Sequence, residues 1–205
     1  MDNKPFAAVT DMETTGLEAA FDVPLELGIK IINVTGEILG ESSWLVWEEN
    51  DEFQTGVSRG RANEFVNNMH TTSGLWDDLG DIKHSMLGEY SRARVDYFAS
   101  EFIGEFAELG TLPMMGNSIG SLDRPFALIH FPRLNVALSY RNIDISTIRL
   151  LAAGNNPPLY EAMKAEIDDH FNRGGESDHR VMSDIDHCIH EYLTYRDNFF
   201  YLNED

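Results

Sequence analysis

At 205 residues the chain has room for one α/β domain with a substantial buried core. Its formal charge of −20 and isoelectric point near 4.5 argue against broad electrostatic capture of nucleic acid, which needs clustered Lys and Arg. They leave room for a small cation-loaded site, because bound metal reverses the local sign. A single cysteine, Cys188, excludes a disulfide framework and a cysteine-built zinc cluster. No apolar stretch has signal-peptide or membrane-spanning character, so a cytoplasmic protein with no membrane partner is expected.

Residues 6–9 form the first apolar segment, and Asp11-Met12-Glu13-Thr14-Thr15-Gly16-Leu17 follows closely. Carboxylates two residues apart on a strand point the same way. Held that close they repel, and their pKa values rise unless a cation sits between them. Residues 25–34 and 38–47 are further strand candidates, with a hairpin turn over 33–36 that makes them antiparallel neighbours. From Ala62 the pattern turns helical, and Val95, Phe98, Phe102 and Phe106 recur at helical spacing up to a stop at Gly110. Pro113 leads into a short strand at Met114-Met115 that ends at Gly116-Asn117. Residues 125–137 suit a helix bounded or kinked at Pro132, and 143–145 suit one more strand. Residues 153–158 and 172–177 read as loops. In the closing helix Ile185, Cys188, Ile189, Tyr192 and Arg196 share a face. No repeat or linker divides the chain, so a single domain over residues 1–205 is expected.

Partners for Asp11 and Glu13 come from two further segments. Asp123 stands at a strand-to-helix junction, where ligands collect in α/β folds. His179 lies five residues before Asp184, which opens the final helix. Divalent cations need acidic oxygens from several directions, and a loop histidine can reach an attacking water. The set is complete for metal-assisted phosphodiester hydrolysis. Plainer readings stand beside it: Asp123 as a helix N-cap, and Leu17 and Phe65 as core residues. Asp168-Asp169-His170 and Asp186-His187 read as exposed helix faces.

In this order and spacing, Asp11-x-Glu13, Asp123 and His179-x4-Asp184 resemble the signatures of DEDDh exonucleases within the ribonuclease H-like superfamily. The finer resemblance is to the oligoribonuclease family. It rests on the block at 11–17, His70-Thr71-Thr72-Ser73-Gly74-Leu75, Gly116-Asn117-Ser118-Ile119-Gly120, the block from Tyr140 to Thr147, and the tail from Glu191 to Phe200. The resemblance implies an α/β, ribonuclease H-like fold: a mixed central sheet with antiparallel N-terminal strands, flanked by helices, forming one exonuclease domain. It implies 3′–5′ hydrolysis of very short RNA, dinucleotides above all, to 5′-mononucleotides with two divalent cations, magnesium or manganese.

By the same resemblance Asp11, Glu13, Asp123 and Asp184 hold the metals, and His179 is the general base. Leu17 and Phe65 flank the bases, Phe65 standing where the family usually has Trp. Ser118, Arg141, Ser146 and Thr147 cap the 5′ phosphate. His70 and Tyr140 complete the substrate pocket, Tyr140 from a neighbouring subunit, so a homodimer is implied and extended duplex nucleic acid is not a partner. One departure is an extra residue: Ser121-Leu122 intervene before Asp123, so the loop is expected to bulge. The stretch from Leu150 to His179 is also longer than usual. The alternatives are a broader 3′–5′ exonuclease on single-stranded DNA or longer RNA, and a dinucleotide-binding homologue with weakened catalysis.

Overall fold

Alternating apolar residues and one asparagine turn build the first half of the sheet in the computed structural model, which describes residues 3–47, 54–82, 84–174 and 178–200. Strands β1 (Ala7–Thr14), β2 (Pro24–Ile32) and β3 (Ile38–Leu45) run antiparallel in sequence. Between β2 and β3, Asn33 Oδ1 accepts from the backbone N–H groups of Thr35 and Glu37, and Gly36 takes a φ of 83° that favours glycine. Two short strands, β4 (Met114–Gly116) and β5 (Asn142–Asp144), add in parallel to the other edge of β1. The order is β3-β2-β1-β4-β5, with β1 at the centre.

Helices cover both faces: α1 (Gln54–Arg61), α2 (Glu64–Thr72), α3 (Leu75–Gly80), α4 (Arg92–Phe106), α5 (Asp123–His130), α6 (Pro132–Ala137), α7 (Ile145–Asn155), α8 (Pro157–Gly174) and α9 (Val181–Tyr195). Even-numbered residues of β1, Ala8 and Met12, pack against Ala99, Phe126 and Leu134 of α4, α5 and α6. Odd-numbered Ala7 and Val9 pack with Ile145, Met163 and Ile185 of α7, α8 and α9. Period-two alternation then carries Asp11 and Glu13 onto the α9 side, where the apolar floor of the sheet ends.

Several boundaries differ from the sequence reading. β1 runs on through Thr14, so the acidic pair lies within the strand. The helix expected over 125–137 begins at Asp123 and breaks into two at Phe131, because Pro132 cannot donate a helical hydrogen bond and starts a new helix instead. Residues 153–158 are not a loop: only Asn156 separates α7 from α8. Pro157 begins α8, where a missing N–H carries no penalty. Of the loop expected over 172–177, residues 172–174 are the end of α8 and 175–177 lie outside the described residues. Among the described residues, no helix is long and apolar enough to cross a membrane.

Candidate active site

Gly28 decides how closely α9 approaches the acidic pair. It lies opposite Asp11 in the β1–β2 ladder, and a Cβ there would come within 2.7 Å of Val181 and 2.9 Å of Ile185. Without that Cβ the first turn of α9 sits directly on the sheet. Asp184, in that turn, brings a carboxylate oxygen to Asp11 and Glu13, and the three ligand atoms lie within 4.8 Å of one another. Three acids at this separation without a counter-charge are costly. Desolvation, then Asp123, Glu13 and Asp184, hold the Asp11 carboxyl well above its ordinary range. Burial, then Asp184 and Glu26, push Glu13 up to about 8.

Asp123 arrives from α5. It is buried at the first helical position, the cap being Leu122, so it is not the N-cap. Ser121 and Leu122, the two residues before it, lie in a turn: their N–H groups both donate to the Ser118 carbonyl, 3.0 Å each, and Arg124 N–H donates to that of Ile119 at 2.9 Å. Arg124 then clamps the start of α5 through Asn142 Oδ1, Asn135 Oδ1 and the Ser139 carbonyl. Burial pushes Asp123 up to about 7, against backbone N–H groups including that of Met12, which pull it down. Its Oδ1 is buried without a hydrogen-bond partner. Asp123 thus abuts β1 between Asp11 and Glu13 in sequence, beside the group of three and electrostatically coupled to Asp11. Hard oxygen donors, a shared excess of negative charge and an orphaned buried carboxylate oxygen fit divalent cations of the magnesium and manganese class.

His179 sits on the exposed loop entering α9, in the left-handed region at φ 50°. Its neighbours hold it there: Arg180 N–H donates to Asp178 Oδ1 across it at 3.2 Å. The Arg180 guanidinium makes two bonds of 2.9 Å to Glu26 and one of 2.7 Å to Asp78. Glu26 is buried directly opposite Glu13 on β2, so Arg180 also supplies the positive charge that lowers Glu13. Neither Glu26 nor Arg180 was expected here. A carboxylate within a largely apolar strand was the available signal, but its partner depends on the register.

Arg180→Met would strand the Glu26 carboxylate. We expect it to destabilise the protein by roughly 2–3 kcal/mol, less than a fully enclosed pair because Arg180 retains 25 % side-chain exposure. Chemical denaturation measures this, and unchanged stability would show that the pair carries no weight.

His70 is wholly buried, its Nε2–H donating to the Thr14 carbonyl at 2.9 Å while Nδ1 lies 3.7 Å from Glu13. Burial keeps its pKa low, so it is a neutral prop behind Glu13. Leu17 and Phe65 are 76 % and 74 % exposed, which removes the core reading of both. Phe65 lies on α2, the helix that His70 ties to the end of β1, and Leu17 lies on the turn leaving β1.

On the other flank Ser118 N–H donates to Ser146 Oγ at 3.0 Å, bringing those two together. Thr147 is drawn to Asp144, which accepts its N–H and caps α7. Arg141 lies over the exposed Tyr140 ring, 5.1 Å from its centroid. Arg149, overlooked in the sequence, bonds Asn117 beside Ser146 and is braced by two 2.7 Å bonds to Glu191. A cavity of about 350 Å³ joins this flank to the acids, lined by Asp11, Asp184, Gly116, Asn117, Arg149 and Glu191 among others.

No protein-family profile matches the chain. It is 33 % identical over 191 residues to an oligoribonuclease of Leifsonia xyli, covering 91 % of this chain and 80 % of that one. It is 30 % identical over 192 residues to an oligoribonuclease of Marinobacter nauticus, covering 94 % of each. Its fold matches the zinc-bound complex of E. coli exonuclease I with single-stranded DNA at a TM-score of 0.64 and 12 % identity, over 98 % of this chain. It matches an exonuclease I from Methylocaldum szegediense at 0.62 and 14 %, over 96 %. The chain spans 42 % and 41 % of those two exonuclease I chains. The mixed sheet flanked by helices is therefore the ribonuclease H-like fold.

Proposed function

The chain belongs to the oligoribonuclease family of 3′–5′ exonucleases, and from that premise we propose that it hydrolyses very short RNA, dinucleotides above all, to 5′-mononucleotides. The observation that carries the reading is the convergence of Asp11, Glu13 and Asp184 within 4.8 Å, with Asp123 alongside. Two divalent cations, magnesium or manganese, held by these four would supply positive charge at the scissile phosphate and acidify the attacking water.

The chain's own residues do the rest. His179, exposed on a loop fixed by the Arg180–Glu26 pair, takes the proton of the nucleophilic water on a ring nitrogen. Leu17 and Phe65, apolar yet exposed, offer surface to the bases. Ser118 and Ser146, already paired, and Thr147 offer hydroxyls to the 5′ phosphate, and Arg141 reaches it by leaving the Tyr140 ring. Tyr140, 82 % exposed, serves the pocket of a partner subunit in a homodimer.

Two features support a short substrate. The cavity beside the acids is at the small end of ligand pockets, and a surface of formal charge −20 repels a long polyanion. Rates on two-, five- and twenty-nucleotide RNAs in magnesium or manganese test this directly. We expect a steep fall with length. Equal rates on all three would overturn the short-substrate reading in favour of a broad exonuclease, and absence of metal-dependent turnover on any would indicate a binding protein.

A further inference from the structure

Helix α5 carries more than Asp123. Its buried face repeats at Asp123, at Phe126 and Ala127, and at His130. One helix thus presents a carboxylate of the acidic centre at its first residue and a histidine about 10 Å further along its axis. The His130 ring stacks on Phe126, with centroids 5.5 Å apart and planes 27° from parallel, and the residue is buried. Both of its nitrogens are bonded. Nδ1 lies 2.9 Å from an Arg92 Nη1 at the start of α4, and Nε2 lies 2.8 Å from the carbonyl oxygen of Ala19. A guanidinium only donates and a carbonyl only accepts, so Nδ1 is the acceptor and Nε2 carries the proton.

Ala19 belongs to the turn between β1 and β2 that exposes Leu17. That turn is a closed unit. Thr15 N–H donates to the Val23 carbonyl at 3.0 Å, and Thr15 Oγ1 donates to Asp22 Oδ1 at 3.0 Å while accepting from Val23 N–H at 3.1 Å. Asp22 Oδ2 accepts from Glu18 N–H at 2.9 Å, and the N–H groups of Phe21 and Asp22 both donate to the Glu18 carbonyl at 2.8 Å. Tied together in this way the turn moves as one piece, so a bond at Ala19 fixes Leu17 two residues away. We propose that His130 is a positioning residue for the hydrolysis: it locks the Leu17 turn to the helix that bears Asp123, and so sets where the base of a short RNA rests relative to the scissile phosphate. The inference rests on reading the acids as a nuclease centre with Leu17 against a base. Arg92 completes the tie by holding the ring in the tautomer that donates to Ala19.

The test is steady-state hydrolysis of a dinucleotide RNA in saturating magnesium. His130→Leu keeps bulk against Phe126 and removes both nitrogens. A displaced base platform weakens ground-state and transition-state binding alike, so it raises KM and spares kcat, whereas damage to α5 would move Asp123 and lower kcat. We expect His130→Leu to raise KM about tenfold with kcat within about threefold of wild type. His130→Gln, whose amide can accept from Arg92 and donate to Ala19, should return KM to within about threefold of wild type. In a Leu17→Ala background His130→Leu should raise KM by less than about twofold, because the turn then has no large apolar side chain to position. Arg92→Met, at a partly exposed residue, should raise KM in the same direction and tests the same tie even if His130→Leu folds poorly. Unchanged KM in whichever of His130→Leu and Arg92→Met folds, an equal rise with and without the Leu17 side chain, or a fall in kcat with KM unmoved overturns the proposal. A wild-type protein that does not turn over the dinucleotide overturns the exonuclease reading and the proposal with it, whereas failure confined to the variants leaves that reading standing.

Discussion

Asp11→Asn should lower hydrolysis by about 10³-fold or more and at the same time make the metal-free protein more stable. Both effects follow from one position. Asp11 bears the charges of Asp123, Glu13 and Asp184 together, and desolvation adds to them. An amide of the same shape removes a ligand oxygen's charge and one member of a mutually repelling group. A residue present only for folding would not show this opposition, in which the active protein is the less stable one. Single-turnover rates on a dinucleotide in saturating magnesium, together with Tm in chelator, measure the two halves. Retained activity would remove Asp11 from the metal centre, and lost activity with a lowered Tm would mean that the substitution had damaged the fold instead.

The second large effect is the coupling of stability to pH and to divalent cation. Glu13 rises from 4.5 to about 8 and Asp123 from 3.8 to about 7, both chiefly through burial. A carboxyl whose folded-state pKa is raised holds its proton more tightly in the native protein than in the unfolded chain. Its favourable contribution is complete below the unfolded value and is lost as pH rises to the folded one. Metal-free protein should therefore lose stability steadily from about pH 4 to about pH 8, with Glu13 alone accounting for several kcal/mol. Manganese or magnesium at pH 8 should restore it, because the cation replaces the protons. Denaturant midpoints across that range, with and without metal, show whether this holds. A flat profile in chelator would contradict it, and Glu13→Gln should remove much of the slope.

Much of this site was legible because the relevant physics is short-ranged. Alternation along a strand puts Asp11 and Glu13 on one face whatever lies above them. The spacing of Ile185, Cys188 and Ile189 marks the buried face of α9, and so places Asp184 at its first turn. The hairpin at Asn33 and the break at Pro132 are written in single residues. The difference over residues 153–158 is local as well: Asn-Pro-Pro favours a loop in sequence, yet proline is well placed at the start of a helix.

What remained illegible depends on pairs far apart in the chain. Glu26 faces Glu13 only because β1 and β2 pair in this register, and Arg180 reaches Glu26 across 154 residues. His70 is an exposed-looking polar residue in sequence and becomes a buried prop only when α2 docks on the end of β1. Arg149 and Arg141 are equivalent cations on paper, and the docking of α7 against α9 sets one on Glu191 and Asn117 while leaving the other over Tyr140.

By itself, then, the sequence determined the elements, the face each acid occupies and the chemistry that such acids demand, since rotamer, dihedral and period rules act within a few residues. The tertiary structure alone decided how close the acids come and which charges brace them. Those distances follow from strand register and from a helix resting on Gly28, and neither is encoded in any local pattern.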